Sequence, residues 1–231
     1  MKLALLGYGK MGKTIERLAL QKGHTVVYKS SSTSSEGILK QADAAIEFST
    51  PETAFVNIKS CLELNIPVVS GTTGWLKQYD KIIKFCEQRN GSFLYASNFS
   101  VGVNLFFNMN QYLAKLMQPW NEYEVSIEEI HHTEKKDAPS GTAISLAEGI
   151  INNSKKKNWT LDTAQTDEIK ITSKRIDDVK GTHIVSYDSD IDRISIKHEA
   201  HSRDGFGIGA IIAAEWLQHK KGVFSMKDVL R

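Results

Sequence analysis

A glycine-rich turn near the start of the chain constrains the fold most. Leu3–Leu6 is a short apolar run typical of a buried strand, and Gly7, Gly9 and Gly12 follow with the spacing G-x-G-x-x-G before a helical pattern, Met11–Lys22. In this context the first glycine permits a tight turn, the second lets the backbone approach a pyrophosphate, and the third allows close helix–strand packing. The sequence predicts a dinucleotide-binding turn, with a flavin site or a structural turn as the alternatives.

Strand and helix signals alternate along the first hundred residues. Further strand-like runs are Thr25–Tyr28, Ala44–Phe48, Ile66–Val69 and Ser92–Ala96. Between the last three lie helical patterns that begin near Pro51 and Leu76 and end near Leu64 and Arg89. This alternation predicts an α/β fold with a Rossmann-like, doubly wound parallel sheet.

The pattern changes after residue 100. Asn104–Met117 predicts a helix, and alternation of apolar and polar residues predicts three strands, as in half-buried antiparallel sheets. These strands are Tyr123–Ile130, Thr182–Tyr187 and Arg193–Glu199. The polar, lysine-rich stretch Lys155–Thr166 is interpreted as a solvated loop, and the apolar helix Ile208–Leu217 as one that returns to the first sheet. We therefore predict a dinucleotide-binding domain of residues 1–98 plus 207–231, with an α+β domain of residues 99–206 inserted.

Composition excludes several classes of function. Lys and Arg number 29 against 27 Asp and Glu, so bulk charge gives no reason to expect a nucleic-acid or membrane partner. No run approaches the roughly 18 apolar residues of a membrane span. Cys61 and Cys86 form no Cys-x-x-Cys or Cys/His pattern, so we expect neither a metal site nor a disulfide scaffold. A cytoplasmic protein is expected.

The tip of the second strand bears on cofactor choice. An acid that binds the adenosine ribose usually lies there, but this strand runs into Lys29, Ser30, Ser31 and Ser32. A cation with hydroxyl groups would bind or tolerate a 2′-phosphate, so NADPH is favoured or accepted; a solvated lysine is the alternative. Two loops at other strand ends, Phe48-Ser49-Thr50-Pro51 and Gly71-Thr72-Thr73-Gly74, suit a nicotinamide and its ribose, although the second could be an ordinary turn.

One short loop gathers proton donors and positive charge. His131 and His132 end a strand-like run, Lys135 follows, and Ser140-Gly141-Thr142 opens a helical run, Thr142–Ile151. Histidine and lysine can donate a proton or bind a carboxylate, and the amides of a helix N-terminus suit an anion. A simple N-cap at Ser140 or Thr142 is the alternative. The crowding of donors favours a small anionic substrate that is protonated as it reacts.

This loop resembles the hallmark of the 4-hydroxy-tetrahydrodipicolinate reductase family, Glu-x-His-His-x-x-Lys-x-Asp-Ala-Pro-Ser-Gly-Thr-Ala, which is present here as Glu129–Ala143. The resemblance extends to Gly7–Gly12, Glu47–Glu52, Gly71–Gly74 and Ala96–Asn104, and so spans most of the chain. The chain is shorter than many members, and Lys29-Ser30 replaces the acid-plus-arginine pair that some members carry.

The resemblance implies reduction of a small cyclic dicarboxylate to tetrahydrodipicolinate with NADPH or NADH, on the diaminopimelate route to lysine. It implies that His131 is a proton donor and acceptor, that Lys135 is a proton donor, and that His132, Gly141 and Thr142 hold carboxylates. Ser140 joins them through its position in the loop. The predicted cofactor-binding residues are Gly7, Gly9, Lys10, Met11, Gly12, Lys29, Ser30, Phe48, Ser49, Gly71, Thr72, Thr73, Ala96, Ser97, Asn98 and Phe99. A homotetramer formed through the inserted domain's sheet is also implied.

Two other functions fit part of the pattern. Another two-domain nicotinamide dehydrogenase would share the glycine turn, but a semialdehyde dehydrogenase needs a nucleophilic cysteine near the cofactor, and both cysteines lie in predicted helices. A non-catalytic NAD(P)H-sensing regulator should add a helix-turn-helix or a basic face, and neither is visible. The histidine–lysine loop discriminates, because a sensor does not need it.

Overall fold

The computed structural model describes residues 1–231 and divides into two compact units. The N-terminal unit consists of Met1–Val101 and Asp204–Arg231, and the inserted unit of Gly102–Arg203. No helix is both long and apolar enough to span a membrane.

The helices and strands follow one another in an order close to the predicted one. The first half contains β1 Lys2–Leu6, α1 Lys10–Gln21, β2 Thr25–Ser30, β3 Ser35–Gly37, β4 Ala44–Glu47, α2 Pro51–Glu63, β5 Val68–Ser70, α3 Tyr79–Gln88, β6 Ser92–Tyr95 and α4 Val101–Met117. The second half contains β7 Glu124–His131, α5 Gly141–Ile151, β8 Asn158–Thr160, β9 Glu168–Arg175, β10 Thr182–Asp188, β11 Arg193–Glu199, α6 Asp204–Leu217, β12 Gly222–Phe224 and α7 Met226–Val229.

The sheet of the N-terminal unit has the order β12-β6-β5-β4-β1-β2-β3. All neighbours are parallel except β3, which is antiparallel to β2. Side chains of a strand alternate between faces: Leu3 and Leu5 pack into a core with α1 and α6, whereas Ala4 and Leu6 pack into a second core with α2 and α3. The predicted doubly wound α/β fold is confirmed.

The inserted unit is built on a mixed sheet with the order β11-β10-β7-β9-β8. Strand β10 is antiparallel to both β7 and β11, while β9 is parallel to β7 and β8. Helices α4 and α5 cover one face, where Phe106 and Leu146 join Ile127, Ile171 and Val185 in a buried core. The predicted second domain with its own sheet is confirmed.

The sequence did not reveal four strands: β3, β8, β9 and β12. The interpretation of Lys155–Thr166 as a loop is partly wrong, because Asn158–Thr160 pairs with β9. Three-residue strands carry no readable periodicity, and their existence depends on a partner elsewhere in the chain. Strand β9 does alternate, with Ile169 and Ile171 buried, but its lysines mask the pattern.

Candidate active site

The glycine turn after β1 is shaped as the sequence predicts. Gly7 has φ +100°, and a Cβ there would lie 2.0 Å from the carbonyl oxygen of Phe48. A Cβ on Gly12 would lie 2.4 Å from the oxygen of Gly7, whereas one on Gly9 would meet nothing within 4 Å. The first and third glycines therefore allow the backbone segments to pack, while Gly9 leaves its outer side open for a ligand.

A cleft of about 770 Å³ opens beside this turn. It is lined by Gly7, Tyr8, Gly9, Tyr28, Ser30, Ser31, Ser32, Thr33, Ser34, Ser35, Phe48, Ser49, Thr50, Thr53 and Asn57. Five predicted cofactor residues are among them: Gly7, Gly9, Ser30, Phe48 and Ser49. None of the lining residues is charged. A bare backbone edge at the N-terminus of α1 and many hydroxyl groups suit a dinucleotide.

Lys29 does not line the cleft. Its Nζ lies 3.2 Å from a carboxylate oxygen of Glu16 and 3.7 Å from one of Glu36, and it lies over the ring of Tyr8. The hydrogen bond to Glu16 raises the pKa of Lys29, so the charge is retained but shared with carboxylates. The prediction that NADPH is favoured depended on an unpaired cation at the strand tip, and the pairing of Lys29 removes that argument.

The buried carboxylate of Glu47 joins the two other predicted cofactor loops. It accepts hydrogen bonds from Ser49 N at 3.0 Å, Thr72 Oγ1 at 2.9 Å and Ser70 Oγ at 2.7 Å, and from the Ser49 hydroxyl. Ser49 N also donates to Thr72 Oγ1 at 2.8 Å. The Thr72 side chain is thus used within the protein, and Glu47 fixes the loop after β4 against the loop after β5.

The remaining predicted cofactor residues surround Phe48 or lie further out. A Cβ on Gly71 would lie 2.3 Å from the Phe48 ring, and the buried ring of Phe99 lies 5.6 Å from it. Ala96 N donates to Ser70 O at 3.2 Å, and Asn98 Oδ1 accepts from Ser100 N. Lys10, Thr73 and Ser97 are exposed, and Met11 is half-buried. These segments converge at the carboxyl ends of β4, β5 and β6, where ligands bind in such sheets.

In the inserted unit, alternation along β7 places two polar side chains on the buried face. Val125, Ile127, Glu129 and His131 face α4 and α5, and Glu129 is fully buried. Pairing brings partners from both neighbouring strands: Arg175 lies opposite His131 on β9, and His183 lies opposite Glu129 on β10.

Glu129 is held between two donors. His131 Nδ1 donates to Glu129 Oε2, and Arg175 Nη2 donates to Oε1 at 2.9 Å. Burial alone would raise the pKa of Glu129, but the hydrogen bonds from His131 and Arg175 outweigh it and lower the pKa to about 2. The carboxylate therefore stays ionised, which fixes the orientation of the His131 ring.

His132 and Lys135 lie beyond the strand end. His132 Nε2 accepts from Arg203 Nη2 at 3.0 Å, and Lys135 Nζ donates to both carboxylate oxygens of Asp137 at 2.8 Å. Arg175 donates to the carbonyl oxygens of Lys135 and Asp137 at 3.3 and 2.7 Å, which fixes this loop. His131 and His132 therefore face different partners, as expected for neighbours at a strand end.

Ser140 acts as the N-cap of α5, the alternative that the sequence left open. Its Oγ accepts from Ala143 N at 3.2 Å and lies 3.1 Å from His183 Nε2. The side chain is thus occupied within the protein. Gly141 and Thr142 form the first turn of α5, whose backbone amides are the part suited to an anion.

Glu129, His131 and His183 also have the donor types of a metal site, with one ligand atom from each within 4.8 Å of the others. However, His131 and Arg175 already occupy the two oxygens of Glu129. The arrangement is electrostatically satisfied by the guanidinium, and we do not assign a metal to it.

Comparison with known proteins identifies the family. A family model described as the N-terminus of dihydrodipicolinate reductase matches residues 1–99, and one described as its C-terminus matches residues 102–230. The chain belongs to the dihydrodipicolinate reductase family.

Relatives of known name match the full length. The chain is 53% identical to 4-hydroxy-tetrahydrodipicolinate reductase of Christiangramia forsetii, covering 100% of this chain and 98% of the relative. It is 38% identical to that of Rickettsia rickettsii, covering 96% and 95%. The solved structure of dipicolinate-bound dihydrodipicolinate reductase from Paenisporosarcina sp. TG-14 superposes with a TM-score of 0.78 at 20% identity, covering 100% and 99% of the two chains. At that identity the likeness shows the fold.

The residues that organise this reductase's site were missed by sequence reasoning. In the sequence, Glu47 and Glu129 stand out only as members of the family pattern, and no pattern assigns a role to Arg175, His183 or Arg203. One signal was available: alternation in β7 places Glu129 on the same face as Ile127, and a buried carboxylate requires a partner. The identity of that partner depends on strand pairing.

Acid should destabilise the reductase through His183. Burial, followed by the charge of His131, lowers the pKa of His183 from 6.5 to about 3. Below about pH 6.5 the unfolded chain binds a proton that the folded chain excludes, so the free energy of unfolding falls as the pH drops, by at most about 1.4 kcal/mol per pH unit. We expect His183→Gln to flatten this dependence between about pH 6.5 and 5 in urea titrations.

The exposed His219 provides the control, since His219→Gln should leave the slope unchanged. His198, whose pKa is also lowered by burial, accounts for a residual slope in His183→Gln. Equal slopes in the wild type and His183→Gln would show that His183 is not held neutral.

Proposed function

We propose that this protein reduces 4-hydroxy-tetrahydrodipicolinate to tetrahydrodipicolinate with NADPH or NADH, in the diaminopimelate route to lysine. The observation that carries the proposal is the structure of the Glu129–Ala143 segment. In it, His131 ends β7 with its ring oriented by Glu129, Lys135 lies in the loop that follows, and α5 begins at Gly141. Full-length similarity to proteins named for this reaction supports it. Family membership also argues against an unrelated dehydrogenase or a non-catalytic sensor.

We further propose that the N-terminal unit binds the cofactor and the inserted unit the substrate. The cleft beside Gly7 and Gly9 fits a dinucleotide, because a Cβ on Gly9 would fill open space that the pyrophosphate needs. The nicotinamide supplies the hydride when it is bound. The hydroxyl groups of Ser30–Ser35 and the loop after β4 would position the riboses.

The chain's own part is to bind two carboxylates and move a proton. His132 and the amides of Gly141 and Thr142 would hold one carboxylate, with the dipole of α5 favouring negative charge. Lys135 now donates to Asp137, so substrate would compete with that carboxylate for the ammonium group. His131 Nε2 and Lys135 Nζ would supply the proton that accompanies hydride transfer, and the 4-hydroxyl group of the substrate leaves as water in the overall reaction.

A coupled assay tests the proposal. A synthase that makes 4-hydroxy-tetrahydrodipicolinate is mixed with this protein and the reduced cofactor, and the absorbance of the reduced cofactor is followed. Loss of absorbance that requires the synthase, its substrates and this protein is expected. Absence of oxidation of both NADH and NADPH would contradict the proposed function.

We expect little discrimination between NADH and NADPH. The cleft carries neither an acid that would repel a 2′-phosphate nor a free cation that would bind one, because Lys29 is paired with Glu16 and Glu36. The two kcat/KM values should agree within about tenfold, or about 1.4 kcal/mol. Ser32→Asp should lower the value for NADPH alone. A wild-type preference above about 100-fold in either direction would contradict this description of the cleft.

We also propose a homotetramer that works in the cytoplasm. Helices cover one face of the inserted unit's sheet, while residues such as Ile130, Ile184 and Ser186 are only half-buried on the other face. Pairing of such faces between copies would bury them. Light scattering that gives the mass of a single chain would contradict the assembly.

A further inference from the structure

The two adjacent histidines are hydrogen-bonded through opposite ring nitrogens. His131 uses Nδ1, which contacts Glu129 Oε2, and His132 uses Nε2, which lies 3.0 Å from Arg203 Nη2. A neutral imidazole has one donor and one acceptor nitrogen, so each partner determines which nitrogen carries the hydrogen.

The partner of His131 is an acceptor. Glu129 is fully buried, and its second oxygen is bound by Arg175 at 2.9 Å. Because its pKa is about 2, it has no proton to donate near neutral pH. His131 Nδ1 must therefore carry the hydrogen, and Nε2 is the atom left to exchange a proton.

The surroundings of His131 Nε2 suit that exchange. Gly181 leaves space beside this nitrogen, because a Cβ built on it would lie 3.1 Å from Nε2. Gly181 has φ +149°, a conformation that side chains rarely adopt. The ring of His183 packs edge-on against that of His131, with 5.1 Å between the ring centroids.

The partner of His132 is a donor. A guanidinium has only N–H donors and keeps its charge at all ordinary pH values. His132 Nε2 must therefore accept, and the hydrogen of the neutral ring lies on Nδ1. This contact borders a cavity of about 530 Å³ with a mixed charged lining, in which Lys180 lies beside Glu134, Asp177 and Asp178.

We propose that Glu129 with Arg175, and Arg203 separately, are positioning residues that hold both histidines as the Nδ1–H tautomer, so that His131 presents Nε2 for proton exchange and His132 presents Nδ1–H to a substrate carboxylate. The assignment of proton exchange to His131 and of carboxylate binding to His132 rests on the proposed function, whereas the tautomer assignments do not. Each positioning residue acts through its histidine, as the carboxylate does in a catalytic triad.

The ring nitrogens can be observed directly. Solid-state ¹⁵N spectroscopy of sedimented protein with ring-labelled histidine, near pH 8, separates protonated from unprotonated nitrogens, and His131→Gln and His132→Gln assign the signals. We expect a protonated Nδ1 and an unprotonated Nε2 for both residues. A protonated Nε2 with a bare Nδ1 in either wild-type ring would overturn the assignment, whatever the outcome of the activity assay.

Variants test the positioning roles. Glu129→Gln should allow the His131 tautomers to mix and lower kcat about 100-fold, at the low end of what acid–base residues contribute, with cofactor KM unchanged. Arg203→Met should mix the His132 tautomers and raise substrate KM more than it lowers kcat. Unchanged ring signals in a folded variant would overturn that residue's role.

Matched controls separate charge from tautomer. Glu128→Gln removes the carboxylate next to Glu129 in the chain, which pairs with Lys174 and not with a histidine. Lys180→Met removes a cation from the cavity beside His132. Neither contacts a ring nitrogen of the two histidines, and both variants should keep the wild-type tautomers. If Glu129→Gln does not fold, the wild-type spectrum alone still decides the proposal.

Discussion

Lys135→Ala is expected to lower kcat by about 10²–10⁴-fold, the usual contribution of a positioned acid. Lys135 lies in the loop after β7, and its ammonium group donates to both carboxylate oxygens of Asp137 at 2.8 Å, a contact that we propose substrate displaces. The residues proposed to bind the cofactor belong to the other unit, so the Kd for NADPH should stay near the wild-type value. Steady-state kinetics and a fluorescence titration with NADPH measure the two quantities.

Lys136→Ala is the matched control, because the adjacent lysine is exposed and has no proposed role. It should leave kcat within about twofold of wild type, as expected for an ordinary surface substitution. A Lys135→Ala variant with wild-type turnover would remove Lys135 from the mechanism. Lys135→Arg, which keeps the charge but does not give up a proton, should recover substrate KM more than kcat.

The second large effect is expected at the glycine turn. In Gly7→Ala the new Cβ would lie 2.0 Å from the Phe48 oxygen, and φ +100° is strained for alanine. The turn must shift, so unfolding should become easier by about 1–3 kcal/mol or more, and cofactor affinity should fall at least about 100-fold. Urea denaturation and NADPH titration measure both consequences.

Two other glycines separate these consequences. Gly9→Ala meets no protein atom within 4 Å, so it should keep wild-type stability and weaken only cofactor binding. Gly23→Ala has φ +79° but open surroundings away from the cleft, so it should lower stability without changing cofactor binding. Wild-type cofactor affinity in both Gly7→Ala and Gly9→Ala would place the dinucleotide elsewhere.

Much of the fold could be predicted because its signals are local. Leu3–Leu6 with the glycines behind it specifies a strand, a turn and a helix within twenty residues. The alternation of residues 123–130 predicts a strand, and the structure has one at Glu124–His131. The same alternation carries enough information to place Glu129 and His131 on one face.

The organisation of the site depends on pairing that no local pattern encodes. Arg175 and His183 reach Glu129 and His131 only because β9 and β10 flank β7 in a particular register. The sequence around Lys29 contains no sign that this lysine is paired, so it was predicted to be available for a phosphate. In the fold, however, its Nζ lies 3.2 Å from a carboxylate oxygen of Glu16 on α1. The three-residue strands β3, β8 and β12 escaped detection for the same reason.

The most direct test of the central claim follows the hydride itself. NADPH deuterated at C4 of the nicotinamide is incubated with the protein and the synthase-generated hydroxylated precursor, and the product is examined by mass spectrometry. The proposed reduction predicts tetrahydrodipicolinate that carries deuterium from the cofactor. Absence of this labelled product from the complete mixture, with the cofactor still reduced, would contradict it.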